Sequence, residues 1–100
     1  MTDPRASAVL DLIRNAPQPL KRREVSQRTG IPERAVTAIV SALRKEGEPI
    51  VNELNGYSYN EDPAKLQVTA AIMRAQALDM LETASSLQAR ASRTGQYTIL

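Results

Sequence analysis

Residues Val25 to Tyr59 read VSQRTGIPERAVTAIVSALRKEGEPIVNELNGYSY, and their order decides the fold. Gly30-Ile31-Pro32 interrupts a short helical segment that covers about Arg22 to Thr29. Gly30 suits the left-handed backbone that ends a helix. A longer helix is predicted from about Pro32 to Glu46. There Ala35, Val36, Ile39, Val40 and Leu43 share one face, while Glu33, Arg34, Thr37, Ala38, Ser41 and Lys45 share the other. Gly47 closes it, and Pro49 forbids continuation. Asn55-Gly56 then signals a hairpin, since both residue types tolerate positive φ. A two-residue loop at that dipeptide pairs Leu54 with Tyr57 and Asn52 with Tyr59. Alternation puts Ile50, Asn52, Leu54, Tyr57 and Tyr59 on the face that packs down. Val51, Glu53, Ser58 and Asn60 are expected to point outward.

On the N-terminal side, Asp3 followed by Pro4 is a favoured helix start. Ala6, Val9, Leu10 and Ile13 form an apolar stripe at helical spacing, ended by Pro17 and Pro19. On the C-terminal side, Asp62-Pro63 repeats the cap-then-proline signature. Leu66, Ala70, Met73, Ala77, Met80, Ala84, Leu87 and Ala91 then recur at alternating spacings of four and three, a heptad row. Val68, Ile72, Ala75, Leu78 and Leu81 widen the apolar face of its first half. At 1.5 Å per residue, a helix of about 30 residues spans roughly 45 Å. That is longer than a domain of this size covers, so part of the row is expected to pack on a second chain. The expected organisation is a compact domain over residues 1–61, a dimerisation helix over 62–93 and a tail over 94–100. Tyr97-Thr98-Ile99-Leu100 leaves a short strand and disorder both open.

Composition narrows the chemistry. With 42% apolar and 24% charged residues the chain reads as globular, and its core must be aliphatic, because three Tyr are the only aromatics. The absence of Cys removes disulfides and thiolate sites, and the absence of His removes the commonest acid–base group. Glu46/Glu48 and Glu61/Asp62 are acidic pairs without a partner base or ligand, and the four Gly are isolated breaks rather than a phosphate-cradling loop. The chain is therefore expected to be no enzyme and to hold no metal, cofactor or small-molecule ligand. With no membrane-length apolar run, a soluble cytoplasmic protein is expected. Charge is uneven. Residues 21–45 hold seven basic against two acidic side chains, net +5, so the rest of the chain nets −3 of the total +2.

Helix, tight turn, helix and β-ribbon is the plan of a winged helix-turn-helix. The expected fold class is mainly α with a small β-hairpin: three helices plus a wing, followed by a long C-terminal dimerisation helix. The second helix of such a unit usually enters the DNA major groove, and a basic excess on it is the footprint of phosphate binding. Lys21, Arg22 and Arg23 open a helix where the macrodipole disfavours cations, a placement that phosphate binding explains. With Arg28 they are the candidate phosphate contacts. Glu33, Arg34, Thr37, Ala38 and Ser41 are the candidate groove residues, and Asn55 is the candidate wing contact. Arg44 and Lys45 lie near a helix C-terminus, where cations are favoured anyway, and are read as structural. Glu53 opposes phosphate, and the wing lacks basic residues for minor-groove insertion. Leu66, Ala70, Met73, Ala77, Met80, Ala84 and Leu87 are the candidate dimer contacts. The expected function is double-stranded DNA binding by a homodimeric transcription regulator, with residues 32–46 in the major groove and the wing at 50–60 on the adjacent backbone. The alternative is a winged-helix protein–protein interaction module of a phage replication or transcription machinery.

Gly30-Ile31, Arg34-Ala35-Val36, Leu43-Arg44-Lys45-Glu46-Gly47 and Asn55-Gly56-Tyr57-Ser58-Tyr59 resemble the N-terminal winged helix-turn-helix of bacterial biotin protein ligase repressors. Gly56-Tyr57, Asp62, Arg74-Ala75 and Leu81-Glu82-Thr83-Ala84 resemble small winged-helix proteins of phages and prophages. Together these resemblances cover about residues 6–88. They imply that Arg34, Thr37, Ala38 and Ser41 face the groove. Two positions depart from the family pattern. Pro32 stands where Ser or Thr commonly caps the recognition helix, and Thr29 stands where Leu is usual. Ala38 offers only a methyl group, so direct base readout by this helix is expected to be sparse.

Overall fold

A computed structural model describes residues 3–94; the tail residues 95–100, including the open assignment at Tyr97–Leu100, lie outside the described residues. The elements follow the order α1 (Pro4–Asn15), α2 (Arg22–Thr29), α3 (Glu33–Lys45), β1 (Ile50–Glu53), β2 (Gly56–Tyr59) and α4 (Pro63–Thr94). The fold is mainly helical, with a two-stranded antiparallel hairpin after three helices and a long helix at the end. The chain divides into two compact units, one ending at Gln67 and one beginning at Val68.

Local chemistry sets the helix starts. The Asp3 carboxylate accepts from the Arg5 N–H at 2.9 Å with Pro4 at the first helical position, and Asp62 accepts from the Ala64 N–H at 3.0 Å ahead of Pro63. The Lys21 backbone N–H is taken by the Glu24 carboxylate at 3.1 Å, so α2 begins with a backbone–side-chain latch rather than a cap oxygen. Val9, Ile13, Leu20, Val25, Ile31, Val36, Ile39, Val40, Leu43 and Ile50 form one buried aliphatic cluster. Val25 is the only buried residue of α2. Burying a side chain of that size stabilises by roughly 1.5–3 kcal/mol, which anchors a helix otherwise made of polar residues.

The hairpin departs from the expected register. Asn52 pairs with Tyr57 and Ile50 with Tyr59, and the two loop residues are Leu54 and Asn55 rather than Asn55 and Gly56. Both have positive φ, 49° and 62°, as the favoured hairpin turn requires. Gly56 is drawn out of the turn by a third segment. Leu20 and Tyr57 exchange two backbone hydrogen bonds, Leu20 N–H to Tyr57 O at 2.9 Å and Tyr57 N–H to Leu20 O at 2.7 Å. A Cβ at Gly56 would lie 2.9 Å from both the carbonyl carbon and the oxygen of Leu20. Only glycine allows that approach, so it sits in the strand and leaves the turn to its neighbours. Leu54, expected to pack down, is 81% exposed at the tip, and Val51, expected to face outward, is fully buried.

Gly56→Ala should therefore destabilise by about 1–3 kcal/mol, the usual cost of overpacking against atoms that cannot yield. Leu54→Asn should be neutral or stabilising by up to ~1 kcal/mol, since Asn tolerates positive φ better than Leu. Urea unfolding of both variants reads the two signs, and a neutral Gly56→Ala would contradict the close approach.

Candidate nucleic-acid interface

The turn between α2 and α3 positions the exposed face of α3. Gly30 takes the left-handed conformation at φ 74°, and its N–H returns to Ser26 O at 2.8 Å. Thr29, the departure from the family pattern, donates its hydroxyl to Val25 O at 2.7 Å and accepts the Ile31 N–H at 3.2 Å. One side chain thus satisfies both the helix end and the first residue of the turn, and Ile31 drops into the core. Pro32 caps α3 with extended backbone and no side-chain bond, so Glu33 in the first turn supplies the anionic complement to the helix dipole.

Val36, Ile39, Val40 and Leu43 bury one side of α3. Arg34, Thr37, Ala38, Ser41 and Lys45 are exposed along the opposite side. The Thr37 hydroxyl is exposed and donates back to Glu33 O at 3.3 Å. Beside this row a shallow hollow is lined by Ala35, Ala38 and Ala42 of α3 and by Asp3, Arg5 and Ala6 at the start of α1.

The basic candidates fall into two sets. Arg22 is held by Glu33, Nε to Oε1 at 3.2 Å, which ties the first turn of α2 to the first turn of α3. Two residues expected to reach DNA independently are thus one another's partners. Lys21, Arg23, Arg28, Arg34 and Lys45 are exposed, and among the described residues no ion pair engages them. Arg28 borders a separate hollow with Ala8, Asp11, Leu12 and Asn15 of α1. Asn55 stands exposed in the hairpin turn.

Three contacts were not legible in the sequence as interactions. Arg44 sends Nε to Ile50 O at 2.8 Å and Nη2 to Asn52 Oδ1 at 2.9 Å, and its guanidinium lies 5.7 Å from the centre of the Tyr57 ring. It staples the end of α3 to the hairpin. Burial lowers its pKa from the ordinary arginine value, with Tyr57 acting in the opposite direction. Arg14 does the equivalent for α1, lying 5.2 Å from the centre of the Tyr59 ring and 3.8 Å from Glu48. Lys65, in the first turn of α4, pairs with Glu53. That hydrogen bond raises the Lys65 pKa. The pair's contribution is therefore fully present below the ordinary lysine value of 10.5 and is lost as pH rises through the raised one. The Lys65 ammonium thereby offsets the negative charge that Glu53 brings to the wing. The register that brings Asn52 and Glu53 to these partners depends on Gly56, which is why spacing alone did not show it.

Residues 4–47 match the IclR helix-turn-helix domain, a DNA-binding regulatory domain. The match spans α1 through the end of α3 and stops before the hairpin. With the observed wing, it supports a winged helix-turn-helix protein whose partner is DNA and whose role is regulation of transcription. It reaches the same fold through a different family from the one the sequence motifs resemble. No curated protein matches the chain. Among the described residues no helix is long and apolar enough to cross a membrane, and no group of three or more His, Cys, Asp or Glu side chains could hold a metal ion.

Arg44→Lys keeps the charge but loses the fork, so it should destabilise by about 1.5–3 kcal/mol, the range for hydrogen bonds from charged donors. A double-mutant cycle on Arg22 and Glu33 should give a coupling of only about 0.2–1 kcal/mol, as both groups are exposed. Denaturant midpoints check both.

Proposed function

We propose that the protein binds double-stranded DNA as a homodimer, with residues 32–46 in the major groove and the hairpin at 50–60 on the adjacent backbone. The observation that carries this reading is the set of exposed cations on α2 and α3 and at the start of α2 that no ion pair engages among the described residues: Lys21, Arg23, Arg28, Arg34 and Lys45. In the proposed complex Lys21 and Arg23 hold phosphates and Arg34 reaches base edges or phosphate. Thr37 and Ser41 accept or donate hydrogen bonds, and Ala38 offers its methyl group. Arg22 and Glu33 act as a pair that sets the angle between α2 and α3, and Asn55 approaches the backbone from the wing tip. With one apolar and two short polar side chains in the row, most affinity comes from phosphates rather than bases.

The homodimer is proposed to form through the α4 row Leu66, Ala70, Met73, Ala77, Met80, Ala84 and Leu87, which makes residues 1–61 the DNA-reading part and 62–93 the joining part. Met73, Met80 and Leu87 of that row are exposed in the single chain. An apolar face of this extent is seldom left uncovered.

Fluorescence anisotropy on a random-sequence duplex tests the DNA reading. The logarithm of the affinity should fall with the logarithm of salt by about 0.9 per phosphate neutralised, and Arg34→Ala or Arg23→Ala should each reduce that slope by roughly 1. No duplex binding at low salt, or a flat salt response, would overturn it. Light scattering at tens of micromolar should give twice the chain mass, and Met80→Glu should return it to the single-chain mass.

A further inference from the structure

We infer that α4 pairs with a second copy of itself in the antiparallel sense, with the two-fold axis falling between Leu78 and Asp79. This rests on the homodimer reading above and gives it an orientation.

The row alternates one small and one large residue with heptad regularity: Ala70, Met73, Ala77, Met80, Ala84, Leu87. In a parallel, in-register pair each layer brings a residue against its own copy. Alanine would then face alanine and leave a gap. The next layer would set methionine against methionine, or leucine against leucine, and force the helices apart. Two stiff helices cannot follow that alternation, and a layer packed below interior density loses its dispersion contacts.

Reversing one helix removes the conflict. With the axis between Leu78 and Asp79, Ala77 meets the partner's Met80, Met73 meets the partner's Ala84, and Ala70 meets the partner's Leu87. Every layer then combines one small and one large side chain, so the helix separation stays constant and close along the seam. The row is self-complementary under two-fold rotation, which is what an isologous interface demands of a single surface. That property points to a second copy rather than to an unrelated partner. Ion pairs do not choose the orientation, because the positions flanking the row carry Arg74 and Arg90 and no acid. Exposure agrees with the need for a partner: Met80 is 71% and Leu87 67% exposed in the single chain.

The two orientations differ in geometry. Antiparallel pairing sets the starts of the two α4 helices roughly 45 Å apart along the seam at 1.5 Å per residue, whereas parallel pairing sets them side by side.

The chain has no Cys, so single cysteine substitutions accept a spin label without background. Ser85 and Ser92 are exposed and one heptad apart, so they occupy equivalent positions around α4. Full-length Ser85→Cys and Ser92→Cys proteins are labelled, and the label-to-label distance in each dimer is measured by double electron–electron resonance. Antiparallel pairing predicts a distance roughly 20 Å longer at Ser92 than at Ser85, because each residue away from the axis adds 1.5 Å on both helices. Equal, short distances at both sites would overturn the orientation while leaving the dimer standing. Absence of a dipolar signal together with single-chain mass would overturn the dimer and the orientation together. The salt-dependence of DNA binding by the unlabelled protein is read separately, so loss of the DNA reading is not confused with either outcome.

Discussion

Leu20 and Tyr57 exchange both of their backbone hydrogen bonds, and the segment between α1 and α2 is thereby bridged at one residue to the wing. The approach is so close that residue 56 can carry no side chain. Much of the N-terminal unit follows from that contact. It satisfies the outward-pointing N–H and C=O of Tyr57 on the edge of β2. It fixes where β2 begins, and so fixes the hairpin register. Through the register it sets Asn52 under Arg44 and Glu53 beside Lys65.

The helical part of this unit was legible because its signals are local. Asp3-Pro4, Asp62-Pro63, Gly30 and the apolar spacing of Val36, Ile39, Val40 and Leu43 each act within one or two turns of chain, and the observed α2 spans the residues the sequence indicated. The hairpin was legible as a hairpin, but its turn was displaced by one residue. Asn55-Gly56 is a good turn dipeptide considered alone. Tertiary contact with Leu20 claimed the glycine for a different purpose, and Leu54 was left to adopt a conformation that leucine disfavours. A pattern that reads only neighbours in sequence has no access to that competition. The burial of Val51 is equally non-local.

The candidate interface was legible in composition more than in geometry. The concentration of basic residues between Lys21 and Lys45 was visible from counting. Which of them are already committed was not. Arg22 is engaged by Glu33 and Arg44 by the hairpin, while Lys45, which had looked like a stabilising end charge, is exposed on the same side as Arg34 and Ser41. Charge at the end of a helix has two uses, and only the placement of neighbouring strands separates them. Thr29 shows the same point at smaller scale. Its hydroxyl performs by hydrogen bonding the anchoring that a larger apolar side chain performs by packing.

Arg44 also bears on mechanics. A two-stranded ribbon by itself is a compliant element that bends at its base when its tip is pushed. Here the guanidinium grips the first strand at a carbonyl and a side-chain amide and lies near an aromatic ring of the second. The base of the ribbon is thereby clamped to the last turn of α3. With Arg14 over the Tyr59 ring, each strand of the ribbon is tied by a planar cation to a helix, Arg44 from α3 and Arg14 from α1, so the ribbon and the two helices share their fixed points.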